Sequence, residues 1–462
     1  MLDVMTQAIE GLSDSEISFA DIRQESRTGT MLVVVNGALR TFNRSSRSGT
    51  VARVLVGESW GQASTTEAVT RKRLEYLLSD ASRMAKATAR YSRRQIDLSG
   101  VNPIEKSVWQ KVKEDPAEVS TEDKLDLIME LDRAQKVDDR IVNVNSSYDD
   151  TKGVYRLVNT AGTRLEWDEL RVQVQVNPVA REGDRMQFDY DTLSGLRGFE
   201  LARELDVAEF ASKPAEGAIE MLSASKPPSG KLKVVIDGDL AGVVAHEVCG
   251  HASEADEIVK GRSFLTDMVG KQVGTELVSM VDDGTINGKY GTFPFDSEGT
   301  PSSRTMIIDK GVYAGYLHTI ETAMLMGVSP TGNGRAQDYN RRIFARMTNT
   351  FFDKGDWSDD EIISDTKDGV YVMKAMSGME DVVGGGVQVS ALKGYVIKKG
   401  ELTKLVRSLA LAGKVLEILK TVDAVGNELR FSGGTCGKGE EDWAPVTSGG
   451  PHMRAEMIIG GA

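Results

Sequence analysis

Two histidines five residues apart constrain this chain more than any other feature. They lie in Ala241-Gly-Val-Val-Ala-His246-Glu247-Val248-Cys249-Gly250-His251-Ala252-Ser253-Glu254-Ala255-Asp256. The stretch is largely apolar and follows Asp237, a good helix cap, so the pattern predicts one helix over about 238–257. In a regular α-helix a step of five residues turns about 500°, which leaves the two imidazoles roughly 140° apart. They can share a partner only if the helix widens between them. Gly250, directly before His251, predicts such a distortion, because glycine permits a local break and a one-residue π-bulge absorbs a single inserted residue.

The segment holds two of the chain's four histidines, and Glu247 follows the first directly. Imidazole and thiolate are donors that zinc favours, and catalytic zinc sites keep one position open for water. A glutamate beside such a site can take a proton from the activated water. The string therefore reads as the HExxH pattern with one residue inserted. The competing reading is a helix with two partly buried histidines and a surface glutamate, and spacing alone does not separate the two.

A metal site needs a third donor, and the chain has two cysteines. Cys436 lies in Gly433-Gly434-Thr435-Cys436-Gly437-Lys438-Gly439, where glycines allow close backbone approach and Lys438 is positioned to favour a thiolate. Cys249 competes from within the helix, although a lone cysteine on an apolar helix is usually core. Glu254 and Asp256 are candidates for ligation or for orienting a histidine. His318 and His452 have no ligand pattern around them.

The wider composition narrows the setting. The 462 residues suggest two or three domains, and 40% apolar with 27% charged residues is a globular balance. A net charge of −13 opposes binding to phosphate backbones, so nucleic acid is not an expected partner. No basic stretch followed by an apolar run opens the chain, and no run is long enough to cross a membrane. So few cysteines argue against a disulfide scaffold and point to the cytoplasm.

Along the chain, Met31–Val35, the turn Asn36-Gly37 and Val51–Val56 read as an antiparallel pair. Helices are expected at Thr65–Thr88, with Thr65 or Thr66 as the cap, at Thr121–Val137 and at Val207–Ser225. Strands are expected at Ile141–Tyr148, Leu170–Val176, Met186–Tyr190 and Lys231–Ile236, and the alternation of Arg171–Val176 predicts one wet face. Lys226-Pro227-Pro228-Ser229-Gly230 reads as a flexible joint. The expected fold is α+β: a mixed sheet-and-helix domain over 1–226, with a sub-boundary near 95–118, then a strand-rich domain over 227–462 that carries the metal helix and a helical stretch near Leu409–Leu419. The glycine-rich runs Thr331–Arg335 and Val383–Val387 lack phosphate-loop spacing and read as tight turns near a cleft. Val387-Gln388-Val389 beside them is a candidate sheet edge for an added substrate strand.

The His246–Asp256 segment resembles the TldD branch of the TldD/PmbA peptidases. Further stretches agree in order: Tyr290–Gly299, Met326–Arg335, Arg346–Thr350 and Gly433–Lys438. The resemblance is strong from about residue 200 onward and compatible before that. It implies a zinc metallopeptidase that cleaves unfolded peptides with little sequence preference, with one zinc per chain. It also implies His246, His251 and Cys436 as the ligands, which favours Cys436 over Cys249, and Glu247 as the general base. The expected assembly is a dimer, with itself or with a non-catalytic homologous subunit. Two alternatives stand beside it: a non-catalytic peptide-binding subunit with a structural metal, and a cysteine-nucleophile enzyme.

Overall fold

The computed structural model describes residues 1–91 and 96–461. Position 95, where the expected sub-boundary begins, lies outside them. The architecture is mixed α/β and rich in strands, as expected for α+β.

Asn36 and Gly37 both adopt positive φ, 52° and 76°, the conformation that a tight two-residue hairpin demands. They join strands far longer than the apolar runs suggested, Phe19–Val35 and Ala38–Val56, because polar residues continue the pairing from Val35↔Ala38 down to Phe19↔Leu55. This hairpin forms the middle of an eight-stranded sheet with Ile141–Asn159, Arg164–Glu182 and shorter flanking strands. One face is covered at one end by helices Leu2–Glu10 and Arg71–Ala89, which bury Ala20, Ile22, Ala52 and Val54. At the other end, helices Thr121–Ala134 and Val207–Met221 cover Leu32, Val34, Val172, Val174 and Val176.

The Arg71–Ala89 helix starts later than expected. Thr70 caps it by accepting a hydrogen bond from Arg73 N at 3.2 Å, whereas Thr65 closes the strand Ser59–Thr65. Trp60 and Ala63 were free to extend the sheet, and the helical periodicity begins only at Leu74. Of the expected Met186–Tyr190 strand only the first part forms, within Arg185–Phe188, and a second short strand, Asp191–Gly195, follows; they pair with the C-terminal end and the middle of Arg164–Glu182. The polar face of Arg171–Val176 turns away from the helices, and Gln175 and Asn177 further along it line a cleft described below.

In the second half, strands Gly230–Ile236, Asp368–Asp381, Gly386–Lys398, Glu401–Lys414 and Met453–Gly461 form a sheet whose ends also pair, Leu409↔Gly461 through Ala412↔Ile458, so that it closes into a ring. A separate six-stranded sheet contains Met280–Asp283, Asn349–Phe352, Glu441–Gly450 and, at its edge, Arg430–Lys438. Between them runs the apolar helix that begins at Gly238, and Leu240, Val244 and Val248 are fully or almost fully buried in the core shared by both.

Ser225, just before the expected joint, is bonded to the second-half sheet: its N donates to Leu405 O at 3.0 Å and Arg407 N donates to its O at 3.1 Å. Two other expectations are corrected. Leu409–Lys414 is strand, and only Val415–Leu419 is helical, because pairing to Gly386–Ala391 captures the earlier residues. Val387–Val389 is not an edge, since its strand is bonded on both sides. No helix among the described residues is long and apolar enough to cross a membrane.

Candidate metal centre

Asp237 caps the central helix, accepting from Leu240 N at 2.8 Å. The helix is α-helical over Gly238–Ala245, widens to a π-helix over His246–Gly250 and tightens to a 3-10 turn over His251–Ser253. Glu254, at φ −72° and ψ 114°, then breaks it, short of the expected end at 257. The π segment absorbs the additional residue and brings the two histidine rings to 4.9 Å between centroids at 88°.

Gly250 has a different part from the one its flexibility suggested. Its φ of −58° and ψ of −62° are ordinary right-handed values that any residue adopts. What it supplies is space, since a β-carbon there would lie 2.1 Å from Met347 Sδ.

Cys436 arrives from the edge strand Arg430–Lys438. His246 Nε2 lies 3.1 Å from its Sγ, and His251 Nε2 lies 3.4 Å from it. The three donor atoms all fall within 4.8 Å of one another, and all three residues are buried. Burial opposes ionisation of Cys436, but the charges and hydrogen bonds of His246 and His251 outweigh it and pull the thiol down to about 4. Cys249 shows the opposite balance. It sits in the apolar core without a compensating partner, and burial pushes it up to about 12.

A further layer holds the donors in place. Glu254 Oε2 lies 3.1 Å from His251 Nδ1, which leaves Nε2 to face the thiol. Lys438 Nζ reaches Glu254 at 2.9 Å and Asp256 at 2.6 Å, so its charge serves these carboxylates and does not serve the thiol, contrary to the expectation from sequence. Arg346, fully buried, donates to Cys436 O and to Glu441 Oε2, each at 2.6 Å. Asp256 and Glu254 are therefore outside the donor set.

Glu247 is half-buried on the same turn. One of its oxygens, a His251 nitrogen and a Glu380 oxygen also fall within 4.8 Å of one another. Burial first, then a shared hydrogen bond with Glu380, pushes Glu247 up to about 7. Gly378 makes the approach possible, since a β-carbon there would meet Glu247 Cγ at 2.3 Å. Sequence reasoning missed Glu380; the adjacent glycine-rich turn was its only signal. Beside this cluster lies an open cleft of about 710 Å³, lined by His246, Glu247, Lys374, Arg430 and Thr435 among others.

The remaining histidines lie elsewhere. His318 Nδ1 is 3.2 Å from Thr322 Oγ1, and His452 Nε2 is 2.8 Å from Tyr371 Oη. Arg335 donates to the carbonyls of Met347 and Pro445 at 2.5 and 2.6 Å.

The donor set suits zinc on its chemistry. Two imidazoles turn Nε2 toward one acidified thiol, no apolar group separates them, and a carboxylate orients one ring from behind.

Comparison with known proteins gives a consistent picture. Models of the first, central and C-terminal domains of the PmbA/TldA metallopeptidases match residues 20–85, 114–222 and 229–461. A metalloprotease of Methanocaldococcus jannaschii is 35% identical over 441 residues, covering 96% of each chain. One from Methanothermobacter thermautotrophicus is 34% identical, covering 97% of this chain and 96% of its own. Among solved structures, a putative modulator of a DNA gyrase from Thermotoga maritima superposes with a TM-score of 0.82 at 20% identity, covering 99% of both chains. TldE from Thermococcus kodakarensis superposes at 0.77 and 16% identity, again over 99% of both, and these two establish the fold alone. With its three domains matched in order and close relatives matched over nearly their whole length, this chain belongs to the PmbA/TldD metallopeptidase family.

Proposed function

We propose that the chain is a zinc-dependent peptidase acting on extended, unfolded peptides, with residues 227–462 as the catalytic unit. The observation that carries this reading is the convergence of His246, His251 and Cys436 beside Glu247 at the wall of an open cleft. His246 Nε2, His251 Nε2 and Cys436 Sγ would hold one zinc ion per chain. When bound, zinc supplies Lewis-acid activation of water and of the scissile carbonyl. A relative in Saccharolobus solfataricus, 27% identical over 61% of this chain, is named a zinc metalloprotease.

Glu247 accepts the proton of the attacking water on its carboxylate and delivers it to the leaving amine. Glu380 beside it disfavours two adjacent negative charges and so keeps Glu247 basic near neutrality. The edge strand Arg430–Lys438 supplies main-chain groups for an extended substrate, and at Gly434 a β-carbon would meet nothing within 4 Å. Main-chain pairing tolerates many sequences but requires an unfolded one.

We further propose that the chain works in the cytoplasm, where Cys436 stays reduced, as a dimer with itself or with a non-catalytic homologue. The test is metal content and peptide hydrolysis of the wild type and of Glu247→Gln. Full zinc with hydrolysis reduced at least a hundredfold is expected in the variant. Unchanged hydrolysis would point to a binding subunit with a structural metal. Activity that survives chelation would point to a cysteine nucleophile.

A further inference from the structure

Next to the metal cleft, and sharing Thr435 with it, the N-terminal sheet and the second half of the chain enclose another cavity, of about 250 Å³. Its floor is the sheet face opposite the helices. Arg23, Glu25 and Arg27 project into it from alternate positions of one strand, beside the stacked rings of Tyr155 and Trp167 at 5.3 Å. Phe293, Phe295 and Trp443 belong to the opposing wall. A volume below the roughly 300 Å³ at which drug-sized pockets begin suits a ligand about as large as one amino acid.

The charges are unbalanced. Five arginines line the cavity against the three carboxylates of Glu25, Glu169 and Asp296. Most of these arginines are engaged. Arg27 meets Glu25 at 3.2 Å, Arg171 meets Glu169 at 2.5 Å, and Arg156 meets Glu166 at 2.5 Å. Arg335 donates to main-chain carbonyls. Arg23 differs: it is 8% exposed and its Nε and Nη2 have no hydrogen-bond partner, whereas Arg27 lacks one only at Nε; Asp21, Glu25 and Glu298 act on the Arg23 charge without bonding to those two nitrogens. The carboxylates nearest it on the strand are committed, since Arg53 grips Asp21 through Nε at 2.9 Å and Arg27 takes one oxygen of Glu25. The other oxygen, Glu25 Oε1, is buried and also without a partner. A buried guanidinium with an open edge is unfavourable unless something anionic meets it.

We propose that this cavity binds the carboxylate of an N-acylated amino acid. The carboxylate lies on the open edge of Arg23, in the planar pairing that guanidinium and carboxylate favour. The adjacent amide N–H donates to Glu25 Oε1, and the ligand's side chain rests on the aromatic wall. Two sources carry this chemistry: a free N-acyl amino acid, or the C-terminal residue of a peptide. Thr435 lines both this cavity and the metal cleft, one residue before Cys436, which places a peptide's end within the same molecule's reach. The peptide source rests on the peptidase reading; binding of the carboxylate does not.

The test is calorimetric titration of the full chain carrying Glu247→Gln, so that turnover plays no part. The probes are N-acetyl-L-phenylalanine and its carboxamide. The acid is expected to bind at least tenfold more tightly than the amide, with and without zinc. Equal binding of both, or of neither, overturns the proposal on this protein alone. In Arg23→Met, acid binding is expected to fall at least tenfold while the ligand-free melting temperature holds or rises, because an unpaired buried charge is gone. A lower melting temperature with acid binding retained would make Arg23 a structural charge and overturn the proposal. Competition by a pentapeptide ending in phenylalanine, and not by its C-terminal amide, supports the peptide as the source. Its failure to compete while the small acid binds assigns the cavity to free N-acyl amino acids.

Discussion

Gly250 and Met347 are in such close contact that a β-carbon on the glycine would sit 2.1 Å from the methionine sulfur. The contact closes the space beside the widened turn and so fixes how far His251 swings back toward His246.

Gly250→Ala is therefore expected to lose about 1–3 kcal/mol of stability by overpacking, together with a weaker metal site. Gly250→Ala combined with Met347→Ala should recover part of the metal affinity, although it leaves its own cavity. Urea denaturation and competitive zinc titration of the single and double variants check this. Equal zinc affinity in wild type and Gly250→Ala would show that the turn does not depend on this packing.

Glu254→Gln keeps the shape of the group behind His251 and removes its charge. Zinc affinity is expected to fall about 10–100-fold, as for other partners that orient a ligating histidine. Competition with a fluorescent chelator measures it.

Lys438 is almost fully buried between Glu254 and Asp256. Lys438→Met strands two carboxylates and is expected to cost about 3–5 kcal/mol. Chemical denaturation of the metal-loaded protein reads the loss. Adding Asp256→Asn to Lys438→Met should restore part of it, because one of the stranded charges is removed.

His318 gives the fold an acid limit. Burial pulls it down to about 4 from an ordinary value of 6.5, so the folded state prefers the neutral ring. This stabilisation is complete above pH 6.5 and is lost as pH falls toward 4, because the unfolded chain takes up the proton first. Between pH 7 and pH 5 the loss is about 2 kcal/mol. His318→Gln should flatten that part of the stability profile, measured as urea midpoints across the range.

Much of this was legible beforehand because it is local. The spacing of His246 and His251 required a distorted helix, and Asp237 marked where that helix starts. Asn36-Gly37 marked the hairpin. What was not legible depends on contacts distant in sequence. Gly250 looked like a residue chosen for freedom, but its backbone is ordinary and the reason lies across the core in Met347. Glu380 reaches Glu247 only because its strand crosses the helix at Gly378, and no spacing reveals a crossing. Lys438 was matched to the wrong partner because Glu254 and Asp256, 184 and 182 residues upstream by number, could not be seen beside it. The alternating face of Arg171–Val176 was read as wet, and the polar positions that continue it at Gln175 and Asn177 open on the cleft.

The ring of strands has a consequence for the order in which the molecule can come into being. Met453–Gly461 pairs with Gly230–Ile236 on one side and with Glu401–Lys414 on the other, and Cys436 comes shortly before it. A chain still emerging from the ribosome with only residues up to 430 has both histidines and Glu247, yet lacks the thiol and the strand that closes the ring beside them. The centre thus matures last, after the sheet and helices of the first half have had time to fold.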